Sequence, residues 1–326
     1  MPTSLSGRDL LSIADLQAEE IRAVLDLAGA AKAGADLGRP LQGRSLAMIF
    51  QRPSNRTRVS FEVAIHRLGG HPIPIFSQEI QMGERESVAD VSRILDRYVD
   101  GVVARLISHR DLLGLAQWAQ GPVINAMTDL EHPCQVLADC LTVREATGRL
   151  RGARVAYVGD GNNVCTSWLY AAALLGVDFR IVCPQGYEPR PEVLDRAESL
   201  RTGEARFTLA HDKGEALEEA QIIYTDVWTS MGQEAEQQRR REDFAHLQVN
   251  ESLLSMAPAE VRVMHCLPAH RGEEITDGVI DGPQSIVFDQ AENRMWVQQA
   301  LLALVFGHDG AGSARAPAAR EATVTP

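Results

Sequence analysis

Two arginines and two hydroxyl side chains are concentrated in one short segment, SNRTR, at residues 54–58. The segment follows the apolar run Ser45–Phe50, typical of a buried strand, and opens a predicted helix over Thr57–Leu68. The first N–H groups of a helix lack intrahelical acceptors, and arginine presents a planar fork that matches phosphate oxygens. This strand-to-helix turn therefore predicts an anion site, with phosphate as the best fit. In the alternative interpretation, Ser54 only caps the helix and the arginines are solvated.

Polar residues also follow the other predicted strands. Because ligands of open parallel α/β sheets bind outside the carboxyl ends of the strands, or between domains, we expect these residues to line one crevice. The predicted strands and the residues that follow them are Gly101–Ala104 with Arg105, Val123–Asn125 with EHPCQ (131–135), Arg154–Val158 with GDGNN (159–163), Ile222–Thr225 with DVWTSMG (226–232), Val263–His265 with CLPAHRG (266–272), and Ile286–Phe288 with ENR (292–294).

Strands and helices alternate along most of the chain. Besides the strands above, Ile73–Phe76 and Phe179–Cys183 are predicted strands, and helices are predicted over Ser87–Tyr98, Arg110–Trp118, His132–Thr147 and Thr166–Leu175. This alternation predicts an α/β fold of two doubly wound parallel-sheet domains in tandem, with a crevice between them. We expect residues 1–148 and 149–291 to form the domains, helix 292–307 to complete the first, and residues 308–326 to be disordered.

Composition narrows the classes of partner. A net charge of −12 over 326 residues argues against a nucleic-acid surface. The chain contains no apolar run of 18 residues, so we expect no membrane span, and its N-terminus lacks the features of a signal peptide. The five scattered cysteines argue against a disulfide framework and favour a cytoplasmic location.

Three other chemistries fit the residues less well. GDG at 159–161 lacks the third glycine of a dinucleotide site, and Cys183 stands where an acidic residue would bind a ribose. Cys266 could be a nucleophile, but the adjacent His265 should point away from it along an extended segment. The spacing of His265, Cys266 and His270 matches no zinc pattern. We therefore expect no metal and no organic cofactor.

The run RRR at 239–241 is interpreted as a solvated helix face.

In combination, SNRTR, HPCQ, GDGNN, DVWTSMG, HCLPAHRGEE and ENR resemble the ornithine carbamoyltransferases of the aspartate/ornithine carbamoyltransferase superfamily. The resemblance extends from about Leu41 to Gly307. It implies metal-independent transfer of the carbamoyl group from carbamoyl phosphate to L-ornithine, giving L-citrulline. A paralogue that uses another amine, and a catalytically silent regulatory homologue, are the alternatives.

The resemblance also implies roles for individual residues. Carbamoyl phosphate would be bound by Ser54, Asn55, Arg56, Thr57, Gln81, Arg105, His132, Gln135, Cys266, Leu267 and Arg294. Of these, Arg105, His132, Cys266 and Arg294 would be catalytic. Ornithine would be bound by Asn163, Asp226, Ser230 and Met231. Gln81 would reach into a neighbouring subunit, which implies a homotrimer or a multiple of one.

Three hypotheses concern particular side chains. Asp226 and Cys266 would together position the attacking δ-amine. Asn55 stands where the family usually has threonine. If this position acts mainly through its backbone N–H, asparagine should serve; if the missing hydroxyl matters, carbamoyl phosphate should bind more weakly. Arg58, two positions after Arg56 on a helix, should point away from the anion towards a structural carboxylate.

Overall fold

The structure is a computed structural model that describes residues 5–230 and 233–307. Its strands are β1 Ser45–Phe50, β2 His71–Phe76, β3 Gly101–Arg105, β4 Val123–Met127, β5 Arg154–Val158, β6 Asp178–Val182, β7 Arg206–Ala210, β8 Ile222–Thr225 and β9 Arg262–His265. Its α-helices are α1 Ala18–Lys32, α2 Asn55–Arg67, α3 Ser77–Ile80, α4 Val88–Leu95, α5 His109–Trp118, α6 Pro133–Thr147, α7 Asn163–Leu175, α8 Pro191–Leu200, α9 Gly214–Glu218, α10 Gln237–Phe244, α11 Glu251–Leu254, α12 Asp277–Ile280 and α13 Val287–Phe306. Short 3-10 turns cover Ile13–Asp15, Glu234–Glu236 and Ala245–Leu247.

Two parallel sheets form the frame of the molecule. The first has four strands in the order β2-β1-β3-β4, and the second has five in the order β7-β6-β5-β8-β9. After their first residue, central strands such as β1 (SLAMIF) and β5 (RVAYV) are buried and largely apolar, because helices cover both sheet faces. The prediction of two doubly wound parallel-sheet domains is confirmed.

The two sheet units share a continuous hydrophobic core. Helix α6 follows the first sheet, α7 belongs to the second, and the two pack against each other. The long C-terminal helix α13 packs on α1, α2 and α6, and it also contacts β9 of the second sheet. The last helix thus reaches back to the first unit, as the predicted completion of that domain requires. The domain boundaries themselves stay a prediction.

One predicted strand is wrong. Ile286–Phe288 is not a strand, because Ile286 caps α13 and Val287 begins it. Short apolar runs are ambiguous between strand and helix, and here the buried positions recur at helical spacing, at Val287, Gln290 and Asn293. The prediction also missed β7, an edge strand whose side chains are exposed or half-buried.

Some predictions fall on residues without a description. Met231 and the tail 308–326 lie outside the described residues. Within the described part of the chain, no helix combines the length and apolar character that crossing a membrane requires.

Candidate active site

The N-terminus of α2 carries the SNRTR segment. Ser54 is the N-cap, and its Oγ accepts from the N–H of Thr57 at 3.4 Å. The N–H groups of Asn55 and Arg56 precede the first intrahelical bond, which runs from Arg58 N to Ser54 O. Capping and anion binding are therefore compatible here. Arg58 pairs with Glu62 at 3.4 Å, so the prediction that it points to a structural carboxylate is confirmed.

A cluster of cationic and imidazole side chains lies beside this turn. Arg56 comes from α2, Arg105 from the end of β3, His132 from the N-cap of α6 and Arg294 from α13. Arg105, His132 and Arg294 are buried. The Nε atoms of the three arginines and Nδ1 of His132 have no hydrogen-bond partner among the described residues. Buried donors without partners indicate a site built for an anionic ligand.

The pKa shifts of the arginines and His132 show that these groups lie close together. Burial, together with the charges of Arg294 and Arg56, lowers the pKa of Arg105 to about 10. Burial and the same three guanidiniums hold the pKa of His132 well below its ordinary value, so the imidazole is neutral at neutral pH. Burial also lowers the pKa of Arg294. A bound dianion would relieve this repulsion.

Gln135 follows His132 by three positions on α6 and is buried. Its Nε2 donates to the carboxylate of Asp139 at 2.8 Å. Its Oε1 has no partner among the described residues, so an acceptor faces the interior beside the cationic cluster.

The second sheet contributes a carboxylate and a thiol. Asp226 follows β8, Cys266 follows β9, and the Cys266 thiol donates to Asp226 Oδ1 at 2.8 Å. Burial and the neighbouring Asp226 raise the pKa of Cys266 well above its usual range, so the thiol is a protonated donor. Burial lowers the pKa of Arg56, and the nearby Cys266 and Asp226 partly oppose this shift. The two halves of the site therefore face each other across the crevice.

Asn162, which the sequence analysis did not single out, organises the second half. It caps α7, with Oδ1 accepting from the N–H groups of Val164 and Cys165. Its Nδ2 donates to Asp226 Oδ2 at 2.7 Å. Asparagine between a strand and a helix is an N-cap signal, but the contact with Asp226 joins residues 64 positions apart.

Arg240 corrects the interpretation of the RRR run. Rather than lying on a solvated face, it is 6% exposed and donates to Asp160 Oδ2 and to Trp228 O, each at 2.9 Å. Its Nε also bonds Glu236. An arginine can be buried when paired carboxylates and carbonyls satisfy its donors. Arg240 thus fastens the 226–230 segment to the end of β5.

The remaining predicted residues are placed as follows. Asn163 donates from Nδ2 to Thr128 O at 2.6 Å, beside the junction of the two units. The N–H of Ser230 donates to Gln233 Oε1 at 3.0 Å. Leu267 is half-buried and has a φ of 57°. This left-handed conformation, rare for such a side chain, marks a strained turn directly after Cys266. Gln81 is exposed at the end of α3, with a φ of 41°.

Three possible metal ligands lie close together. Ligand atoms of Asp226, His265 and Cys266 lie within 4.8 Å of one another. However, Nδ1 of His265 accepts from Leu267 N, and its Nε2 is therefore protonated and donates to Glu274 Oε1 at 2.9 Å. Both ring nitrogens are thus occupied, and the Cys266 thiol is held by Asp226. These bonds compete with metal binding, and they occupy the nitrogens that a base for Cys266 would need. The prediction that His265 points away from Cys266 is wrong, because their ligand atoms lie within 4.8 Å of each other.

A site divided in this way, with anion-binding groups on one α/β unit and an acceptor-side carboxylate on the other, suits a transferase with two substrates. Comparison with known proteins identifies the family to which this transferase belongs. Residues 8–145 match the carbamoyl-P binding domain of aspartate/ornithine carbamoyltransferases, and residues 151–305 match their Asp/Orn binding domain. The chain belongs to the aspartate/ornithine carbamoyltransferase family.

Individual relatives are similar over almost their whole length. The chain is 50% identical to the anabolic ornithine carbamoyltransferase of Pyrococcus furiosus, covering 94% of this chain and 99% of the relative. It is 53% identical to the ornithine carbamoyltransferase of Parasynechococcus marenigrum, covering 93% and 95%. The solved ornithine carbamoyltransferase structure from P. furiosus superposes with a TM-score of 0.89, covering 94% of this chain and 99% of that one. The predicted family, fold and carbamoyl transfer are confirmed.

Proposed function

We propose that this protein transfers the carbamoyl group of carbamoyl phosphate to the δ-amine of L-ornithine, giving L-citrulline and phosphate. The observation that carries the proposal is the position of Arg56. Its guanidinium belongs to the anion-binding turn, where burial lowers its pKa, yet it lies close enough to the Asp226–Cys266 pair for that pair to oppose the shift. A phosphate bound at the turn would therefore hold its acyl carbon beside the acceptor half of the site.

The donor substrate would bind to the first unit. The α2 N–H groups, Arg56 and Arg105 compensate the phosphate charge. Thr57 Oγ1 already accepts from Arg294 Nη2 at 2.8 Å, so its own proton is available for a ligand oxygen. Neutral His132 and the guanidiniums would stabilise the negative charge that develops on the carbamoyl oxygen as the amine attacks the carbon.

The acceptor substrate would bind to the second unit. Asp226 and Cys266 would position the δ-amine, with Asn163, Ser230 and Met231 binding the amino-acid end. An alkylamine has a pKa of about 10, so it must lose a proton before it attacks. Burial and the facing guanidiniums favour the neutral amine. The C–N bond then forms as the C–O bond to phosphate breaks, and the second amine proton leaves on phosphate.

The direction of the reaction and the oligomer are part of the proposal. We infer that the enzyme works towards citrulline and arginine synthesis, because a relative at 50% identity is named anabolic. We also infer a homotrimer or a multiple of one, in which the exposed Gln81 completes a neighbouring site. Mixing Gln81→Ala and Arg105→Ala subunits should restore part of the activity if sites are shared, since some sites then contain both side chains. No recovery would contradict the shared site.

A panel of acceptor amines tests the substrate. We expect kcat/KM for L-ornithine to exceed that for putrescine or N-acetylornithine by at least about 100-fold, because a site built for charged groups rejects analogues that lack them. A preference for another amine would identify a paralogue with a different acceptor. Absence of turnover with every amine would favour the silent homologue.

A further inference from the structure

The buried carboxylate of Asp139 has no assigned role in the reaction. It is fully buried on α6 and accepts three N–H groups from three helices. Oδ1 accepts from Gln135 Nε2 and Gln290 Nε2, each at 2.8 Å, and Oδ2 accepts from Trp168 Nε1 at 3.1 Å. Burial raises the pKa of Asp139 to about 7, although the bonds from Gln135 and Gln290 oppose this shift. Burying this carboxylate therefore costs folding free energy, and its hydrogen bonds must offset that cost.

We propose that Asp139 is a positioning residue that fixes the Gln135 amide so that Oε1 accepts a hydrogen bond from the carbamoyl nitrogen. The proposal rests on the function proposed above. An ionised carboxylate only accepts hydrogen bonds, so it holds Gln135 with Nε2 inward and Oε1 outward. That oxygen is buried and without a partner among the described residues, an arrangement that costs free energy until a donor arrives.

The chemistry of carbamoyl phosphate identifies that donor. The amide nitrogen is the end of the molecule that carries N–H groups, whereas the phosphate and carbonyl oxygens accept. Gln135 lies one helical turn after His132. The side-chain Oε1 of Gln135 and the His132 imidazole, an oxyanion donor, are therefore presented from the same end of α6. A flipped Gln135 would present N–H groups to the carbamoyl nitrogen and repel it. Asp139 prevents this flip.

The same carboxylate also reaches the acceptor half of the site. Gln290 donates to Asp139 and accepts from the N–H of His265 at 2.8 Å. His265 immediately precedes Cys266, which bonds Asp226. Asp139 therefore fixes one group of each substrate half-site. The contact of Trp168 with Oδ2 lies on the opposite oxygen and does not touch Gln135.

Asp139→Leu tests the proposal, because leucine has a similar size and removes both acceptor oxygens, whereas asparagine could still accept from Gln135 and Gln290 through Oδ1. In the wild-type enzyme, citrulline formation first establishes the underlying function, independently of the variant. We expect Asp139→Leu to raise KM for carbamoyl phosphate about tenfold, the effect of losing one ligand hydrogen bond. Competitive inhibition by inorganic phosphate, which lacks the amide, should change by less than about twofold. Equal losses for both ligands, or no change in KM, would overturn the proposal.

Trp168→Phe is the matched control, since it removes a donor from the same carboxylate and leaves the bond to Gln135. It should lower the melting temperature without raising KM for carbamoyl phosphate by more than about twofold. A tenfold increase in this control would show that the effect is merely structural.

A second measurement applies even where Asp139→Leu does not fold. Acetyl phosphate carries a methyl group in place of the carbamoyl nitrogen, so it cannot donate to Gln135. Wild-type enzyme should bind carbamoyl phosphate about tenfold more tightly than acetyl phosphate, and Gln135→Met should lose most of this preference. Retention of the full preference in Gln135→Met would overturn the proposal.

Discussion

Arg294 on the last helix donates from Nη2 to Oγ1 of Thr57 in the first turn of α2, at 2.8 Å. The bond joins residues 237 positions apart, and both side chains are buried. It brings a C-terminal guanidinium into the anion site and leaves the Thr57 proton free for a ligand.

Removing the Thr57 hydroxyl should therefore impair the donor half of the site. We expect Thr57→Val, which keeps the shape, to lower kcat/KM for carbamoyl phosphate by about 100-fold, as loss of an oxyanion donor does. Thr57→Ser, which keeps the hydroxyl, should stay within about tenfold of wild type. Steady-state kinetics at saturating ornithine measure both. A Thr57→Val enzyme with wild-type kinetics would remove this residue from the mechanism.

Cys266 should act as a hydrogen-bond donor and not as a nucleophile. Serine also donates to Asp226, so Cys266→Ser should retain activity to within about tenfold, whereas Cys266→Ala should lose more, mainly in ornithine affinity and kcat. Full kinetics with both substrates make the comparison. Inactivity of Cys266→Ser beside an active Cys266→Ala would contradict the assignment, and so would an alanine variant with unchanged turnover and ornithine affinity.

Arg240 should support ornithine binding indirectly, without contacting the substrate. Arg240→Ala removes the bonds to Asp160 and Trp228 O, so we expect KM for ornithine to rise about tenfold and KM for carbamoyl phosphate to stay constant. Arg239 is the natural control, because its side chain is 80% exposed and pairs only weakly with Asp243. Arg239→Ala should resemble wild type. Equal effects of the two substitutions would contradict the positioning role of Arg240.

Asn55 should contribute through its backbone. It is the first residue of α2, and its side chain is exposed. Asn55→Thr should then leave KM for carbamoyl phosphate within about twofold of wild type. A clear fall in KM would show instead that the missing hydroxyl binds substrate.

Glu131 should make stability depend on pH. It is buried, and its Oε2 accepts from Ile13 N at 3.0 Å and from Ser167 Oγ at 3.1 Å. Burial raises the pKa of Glu131 from 4.5 to about 7, against the effect of these bonds. The folded state thus holds its proton more tightly than the unfolded chain does. Its contribution is fully present below pH 4.5 and is lost as pH rises to about 7.

Glu131→Gln removes this titration and keeps an acceptor oxygen. Between about pH 5 and about pH 8, wild type should lose up to about 3 kcal/mol more unfolding free energy than the variant, the equivalent of the pKa shift. Chemical denaturation across this range measures the difference. Parallel stability profiles would contradict the shift. Other titrating groups, including Asp139, are common to both proteins.

Much of this site could be predicted because its chemistry lies at strand ends. SNRTR, Arg105 and the residues after β8 and β9 follow apolar runs whose boundaries are clear in the sequence. Arg240, Asn162 and Asp139 could not be assigned in this way, since their roles depend on contacts between distant segments. Asp160 and Arg240 are 80 residues apart, and Asp139 and Gln290 are 151 apart.

The errors have a related cause. Ile286–Phe288 is an apolar triplet that fits a strand or a buried helical turn equally well, and only packing of α13 on α1, α2 and α6 decides between them. Arg240 was placed on a solvated face because its neighbours in the sequence are charged. Its partner Asp160 is brought to it by the fold.

The fate of the carbamoyl carbon tests the central proposal most directly. Carbamoyl phosphate labelled with ¹³C and L-ornithine labelled with ¹⁵N at the δ position can be followed by NMR during turnover. The proposed reaction predicts a new one-bond ¹³C–¹⁵Nδ coupling in the product, with phosphate released in equal amount. A coupling to the α-nitrogen, or phosphate release without the new bond, would contradict transfer to the δ-amine at this site.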